Sequence, residues 1–194
     1  MKGAGIGYHG AIVLSNLLQR NNTVTHLYLS ENNIGTKGCM VLGDAIFGVS
    51  RSVVFVDLRS NGIENKAMEH IGKVLKARLE RGSTGELGGN RPPPQVVTWD
   101  IQQNVIGGFG VSAELPGLNE CLGAMSDMAE RRALINLKLR RENKKNPNHQ
   151  KKQVQGGETI TVYLSGNQIR PPKAREMLDK HEGTRLKLYV EVRN

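Results

Sequence analysis

Cysteine is scarce: only Cys39 and Cys121 occur in 194 residues. They stand far apart, each within a helical apolar pattern, which argues against a disulfide framework or a metal-binding pair and for reduced core thiols in an intracellular protein. No apolar run approaches the ~18 residues that a membrane-spanning helix needs. The opening residues, MKGAGIGYHGAIVLSNLL, are interrupted by Tyr8, His9, Ser15 and Asn16 and make a poor signal peptide. The sequon at Asn21-Asn22-Thr23 is therefore expected to stay unglycosylated. Catalytic signatures are missing as well. There is no G-K-[ST] phosphate loop and no H-E-x-x-H, and His9, His26, His70, His149 and His181 are scattered. Gly5-Ile-Gly7-Tyr-His-Gly10 matches G-x-G-x-x-G, but no strand precedes it, so it does not imply a dinucleotide site. The expectation is a protein that is not an enzyme and has no cofactor and no metal.

What is present is a repeat. Val24, Leu27, Leu29, Asn32 and Ile34 set a template that returns 29 residues later as Val53, Val56, Leu58, Asn61 and Ile63. It returns again as Val96, Trp99, Ile101, Asn104 and Ile106, and as Thr159, Val162, Leu164, Asn167 and Ile169. Ile6 to Gly10 overlay Ile34 to Gly38 at a shift of 28. Each unit reads as a short strand with Leu27 and Leu29 pointing inward and Tyr28 and Ser30 outward. The chain must then bend toward a helix, which strands backbone N–H and C=O groups inside the bend. An asparagine amide carries both donors and an acceptor, so Asn32, Asn61, Asn104 and Asn167 are the residues expected to satisfy them. Gly35 and Gly38 allow the tight turn and close helix approach that follow.

This pattern resembles leucine-rich repeats of the ribonuclease-inhibitor type, over roughly three quarters of the chain. The resemblance implies an α/β solenoid with parallel strands on a concave face and helices on a convex one. The coarse map places helices at 6–20, 36–48, 65–80 and 171–182, the last opening with Pro171-Pro172. Strands are expected near 24–29, 53–58, 96–101 and 160–164, and the alternating Leu186, Leu188, Val190 and Val192 form a closing strand. The chain opens at a helix with no strand before it, so a missing N-terminal cap is expected to come from another chain or from preceding sequence.

Two insertions break the period of this single domain. Residues 81–94 have the composition of a flexible surface loop. A second insertion covers about 118–158. There, Leu118, Leu122, Met125, Met128, Ile135 and Leu139 predict a helix from Leu118 to Asn143, against a rival reading of Leu134, Leu137 and Leu139 as a degenerate strand. This insertion holds the charge. Between Glu130 and Lys152 lie Arg131, Arg132, Lys138, Arg140, Arg141, Lys144, Lys145, Lys151 and Lys152 against Glu130 and Glu142, net +7 of the chain's +9. A basic arm of this kind implies an anionic partner. It has no aromatic residue to stack a base, which leaves an RNA phosphate backbone or an acidic, tubulin-like protein surface.

The register predicts a second surface on the concave face. His26, Phe55, Thr98 and Thr161 form one row. Tyr28, Asp57, Asp100 and Tyr163 form the next, and Ser30, Arg59, Gln102 and Ser165 the third. Asp57 beside Asp100 is a like-charge pair, to be relieved by Arg59 or by a basic partner. With Tyr28 and Tyr163 flanking, it suits an anchor for a Lys- or Arg-bearing segment. The composite expectation is a non-catalytic scaffold in a large eukaryotic assembly, cytoskeletal or ciliary complexes favoured, located in the cytoplasm or cytoskeleton with a cilium as one setting. A ribonucleoprotein or ribosome-associated component is one alternative. Another is a small-GTPase regulator similar to Ran GTPase-activating proteins, although that family carries an acidic tail and this chain ends in LYVEVRN.

Overall fold

A computed structural model describes residues 1–81, 95–107, 115–146 and 158–191. Three-residue strands β1 (His26–Tyr28), β2 (Phe55–Asp57) and β3 (Thr98–Asp100) are followed by β4 (Ile160–Tyr163) and β5 (Leu186–Tyr189). They form one parallel sheet in the order β1-β2-β3-β4-β5. The pairing follows the repeat template: Leu27 lies opposite Val56, Val56 opposite Trp99, and Trp99 opposite Val162. Parallel neighbours need a crossover, and a helix supplies each one. Helix α1 (Gly7–Arg20) precedes β1, and the four crossovers are α2 (Gly35–Gly43), α3 (Asn65–Arg81), α4 (Pro116–Lys145) and α5 (Pro171–His181). The strands are shorter than the sequence reading: β1, β2 and β3 pair over three residues each, centred on Leu27, Val56 and Trp99, before the chain bends.

That bend is where the asparagines act. Asn61 accepts from the amides of Asn32 at 3.1 Å and Ile34 at 3.2 Å, and donates to the carbonyls of Leu29 and Arg59. Asn104 repeats this one coil on, accepting from Asn61 and Ile63 and donating to Leu58, Ile101 and Gln102. Asn32 accepts from Ala4 and donates to Met1 and Ser30, while Asn167 accepts from Ile106 and donates to Ile101 and Leu164. Each asparagine thus closes the turn of the preceding coil. The residue before it is left-handed in every coil, as Glu31, Ser60, Gln103 and Gly166 show with φ between 53° and 74°.

One core lies between sheet and helices. Leu29, Leu58 and Ile101 point into it beside Ile34, Ile63 and Ile106, all at most 2% exposed. Gly38 sits where a Cβ would press on that of Ala11 at 3.2 Å, so α2 packs against α1 through it. After Gly43 the helix continues in π geometry over Asp44–Val49, closed by the Ser50 amide on the Ala45 carbonyl. This wider segment brings Phe47 edge-on to Trp99, with centroids 5.3 Å apart. Arg78 of α3 donates to the carbonyls of Phe47 and Ser50 and so satisfies the end of that segment. Cys39 and Cys121 are free, buried thiols, and burial raises the Cys39 pKa to about 12.

The second insertion is helical from 118 to 145, and the strand alternative for residues 134–139 is incorrect. α4 begins at Pro116, suited to a first turn, and stops at Asn146, because the residue before Pro147 is driven out of the helical region. Its first turns are not an appended arm. Leu118, Cys121, Leu122, Met125 and Met128 are fully buried, and α4 packs along α3 as the crossover helix of its own coil. No residue of α4 after Asn136 is buried, so only the final turns leave the body. The predicted loop at 81–94 and the basic residues Lys151 and Lys152 lie outside the described residues, apart from Arg81, which ends α3.

Candidate binding faces

Alternate positions of each strand face away from the core, and the register brings them into rows. His26, Phe55, Thr98, Thr161 and Lys187 make the first row, and Tyr28, Asp57, Asp100, Tyr163 and Tyr189 the second. Rings cluster at both ends. Tyr28 and Phe55 lie 5.1 Å apart, with His26 stacked on Phe55 at 5.7 Å. Tyr163 stacks on Tyr189 at 4.8 Å. Tyr28 and Tyr189 are each about half exposed, presenting flat apolar surface to solvent.

Between the aromatic ends lies the acidic pair, already joined. Arg59 Nε donates to Asp57 Oδ1 at 3.0 Å and its Nη2 to Asp57 Oδ2 at 2.9 Å, while Nε is also 3.3 Å from Asp100 Oδ2. Asp57 is only 2% exposed although it is on the open face. Burial pushes its carboxyl up, but Arg59's hydrogen bonds and charge, with a further bond from Ser30, outweigh this and leave it below the ordinary carboxylate value. Asp100 is raised, by burial first and by the Asp57 charge as well, against the Gln102 amide and Arg59. Gln102 thus contributes its backbone N–H, at 3.2 Å from Asp100 Oδ1. Of the two cations expected to relieve the pair, Arg59 or a partner's, the chain supplies its own, and Asp100 holds it by a single, longer contact.

The basic arm divides. Arg132 is fully buried and donates to the Val96 carbonyl at 2.6 Å, and burial lowers its pKa to about 10. It is a core residue, so its expected place on an anion-binding surface is incorrect. Arg131 donates to the carbonyl of Leu79 on α3. Arg140 is bound to Glu158 at 2.6 Å, and Glu158 also meets Arg185, which in turn reaches Glu130. Lys138, Arg141, Lys144 and Lys145 are exposed, and no ion pair holds them among the described residues.

Several features escaped the sequence reading. Tyr189 and Lys187 extend the two rows, and the alternation Leu186-Lys-Leu-Tyr189 would have revealed them once β5 was given a register. Glu158, immediately before β4, was not recognised as the counterion of the arm.

Among the described residues no cluster of His, Cys, Asp and Glu has the geometry to hold a metal ion. No described helix is long and apolar enough to cross a membrane. No curated protein matches this sequence. The family described as Leucine Rich repeat matches residues 20–43, the stretch that holds β1, Asn32 and α2. With the parallel sheet and its crossover helices, that match supports a leucine-rich repeat protein, a kind that is generally a non-enzymatic binding scaffold.

Proposed function

We propose that the chain is a protein-binding scaffold of the ribonuclease-inhibitor-like repeat type, which grips a partner protein on the open face of its sheet. The observation that carries this reading is the row Tyr28–Asp57–Asp100–Tyr163–Tyr189, aromatic at both ends and charged in the middle. Exposed tyrosines around a partly desolvated charge are the composition of an interface centre rather than of an idle surface. The backbone beneath is fixed by the asparagine ladder, so little ordering cost remains for a partner to meet. With Asp100 less fully paired than Asp57, a lysine or arginine of the partner is expected to dock there.

The exposed cations of α4 extend the reading to a large assembly with acidic protein surfaces, of which cytoskeletal or ciliary structures are the favoured setting. No observation favours the GTPase-regulator alternative: Arg59 is held by two carboxylates and is poorly placed to reach out to a nucleotide.

Site-specific photo-crosslinking tests the scaffold reading. A crosslinker at Tyr28 or Tyr189 is expected to capture the same partner protein, while one at the exposed Lys66 on α3 is not. Equal capture from both faces would refute it, and so would accelerated GTP hydrolysis by a small GTPase that is lost on Arg59→Ala.

A further inference from the structure

With Arg131, Arg132 and Arg140 held by other groups of the chain, the outward side of α4 carries a stripe at its C-terminal end, preceded on the same side by the exposed Asp127 and Glu130. Leu134 and Leu137 are 59% and 42% exposed. Lys138, Arg141 and Lys145 follow Leu134 at spacings that keep all five side chains on one helical face. The opposite face holds the buried residues, ending with Arg132, Ala133 and Asn136. The final turns, roughly 13 Å of helix at 1.5 Å per residue, project from the body. They are tethered at their base by Arg140, Glu158 and Arg185. The stripe is therefore a preformed surface with two exposed leucines leading into a cationic end.

We propose that this stripe binds an acidic amphipathic helix of a partner protein. The partner's apolar side chains cover Leu134 and Leu137, and its carboxylates meet Lys138, Arg141 and Lys145. This rests on the scaffold reading for there being a protein partner, and adds the chemistry of the segment that the arm takes. A helix C-terminus attracts cations by its dipole, which accounts for Lys144 and Lys145 without any partner. The dipole gives no reason for two exposed leucines beside them. A phosphate backbone or a run of glutamates would use the cations and leave both leucines in water. Among residues 130–152 there is also no Phe, Tyr or Trp to stack a base. Only an occupant with both acidic and apolar side chains uses the whole stripe, and covering the two leucines is worth about tenfold in affinity or more.

The test uses the full chain and three probes of equal net charge, followed by fluorescence anisotropy. They are a synthetic helical peptide of Glu and Leu at helix spacing, polyglutamate, and polyuridine RNA. The peptide is expected to bind about tenfold tighter than polyglutamate or RNA. Leu134→Gln with Leu137→Gln should erase that advantage and leave polyglutamate binding unchanged. Because both leucines are exposed, that variant should keep its melting temperature, which is measured alongside. Replacing Lys138, Arg141 and Lys145 by Gln should weaken peptide and polyglutamate alike and flatten their salt dependence. Polyglutamate or RNA binding as tightly as the peptide overturns the proposal, as does peptide binding that ignores the leucine substitutions. Tyr28→Ala with Tyr189→Ala should leave peptide binding intact, and its loss would place the peptide on the sheet face and also overturn the proposal. Failure to capture a partner at the sheet face would refute the scaffold reading while leaving these affinities as measured.

Discussion

Replacing Asn61 by alanine removes four hydrogen bonds from a residue that is 1% exposed. The amides of Asn32 and Ile34 and the carbonyls of Leu29 and Arg59 lose a partner together, in a bend that a methyl group does not open to water. At about 1 kcal/mol for each bond, and more for each group left unpaired, the cost is about 3–5 kcal/mol. That is a large part of the ~5–15 kcal/mol available to a domain. Asn61→Asp retains an acceptor for the two amides but turns a second oxygen toward two carbonyls, so it should recover only part of the loss. Urea unfolding gives the size of the effect, and hydrogen exchange gives its location: Asn32 and Ile34 should lose protection ahead of the β4 amides. The position along the chain matters too. Asn104 makes five such bonds, whereas Asn167 accepts from one amide only and should tolerate alanine best. A loss below about 1 kcal/mol for Asn61→Ala, or unchanged protection at Asn32 and Ile34, would refute the account of the ladder.

Two further predictions concern the same architecture. Gly107→Ala should cost at least about 3 kcal/mol, because Gly107 has φ 125° and an added Cβ would overlap the Gln168 carbonyl of the next coil; a melting temperature within a degree or two of wild type would contradict it. The Asp57 pKa is lowered on folding, so its contribution is complete above the unfolded value of about 3.9 and is lost as pH falls through the lower folded value. Asp100 is raised and has the opposite sign, weakening the fold above its folded value and costing nothing once protonated. Asp57→Asn should therefore destabilise at pH 7, by about 1–3 kcal/mol, and reduce the acid-side slope, while Asp100→Asn should steepen that slope; urea midpoints from pH 3 to 7 check both.

The sheet was legible because the side-chain period of a strand is two and the asparagine fixes its phase, so Leu27, Val56, Trp99 and Val162 could be aligned without coordinates. β5 was harder for the same reason. At the repeat offset after β5 stands Arg193 in place of a ladder asparagine, so nothing in the sequence set its register, and Tyr189 was missed. Arg132 misled because charge was read before helical phase. It falls seven residues after Met125 and four after Met128, on the buried side of α4, and that phase would have placed it inside. The Arg59 clamp was only half legible. The spacing put Arg59 near both aspartates, but whether it closed on them or left them for a partner depended on the rotamer of a long side chain.

The division of labour along each strand makes these ideas separable. Core positions such as Leu27 and Trp99 hold the coils, the asparagines hold the bends, and the intervening positions carry the face. Tyr28 and Tyr189 join neither the core nor the ladder, so truncating them should change binding with little change in stability. Asp57 is the exception. It lies in the face row but is buried and clamped by Arg59, so a substitution there alters fold and surface together. Loss of binding in Asp57→Asn therefore says little about a partner until its stability is known, whereas loss in Tyr28→Ala speaks for the face directly.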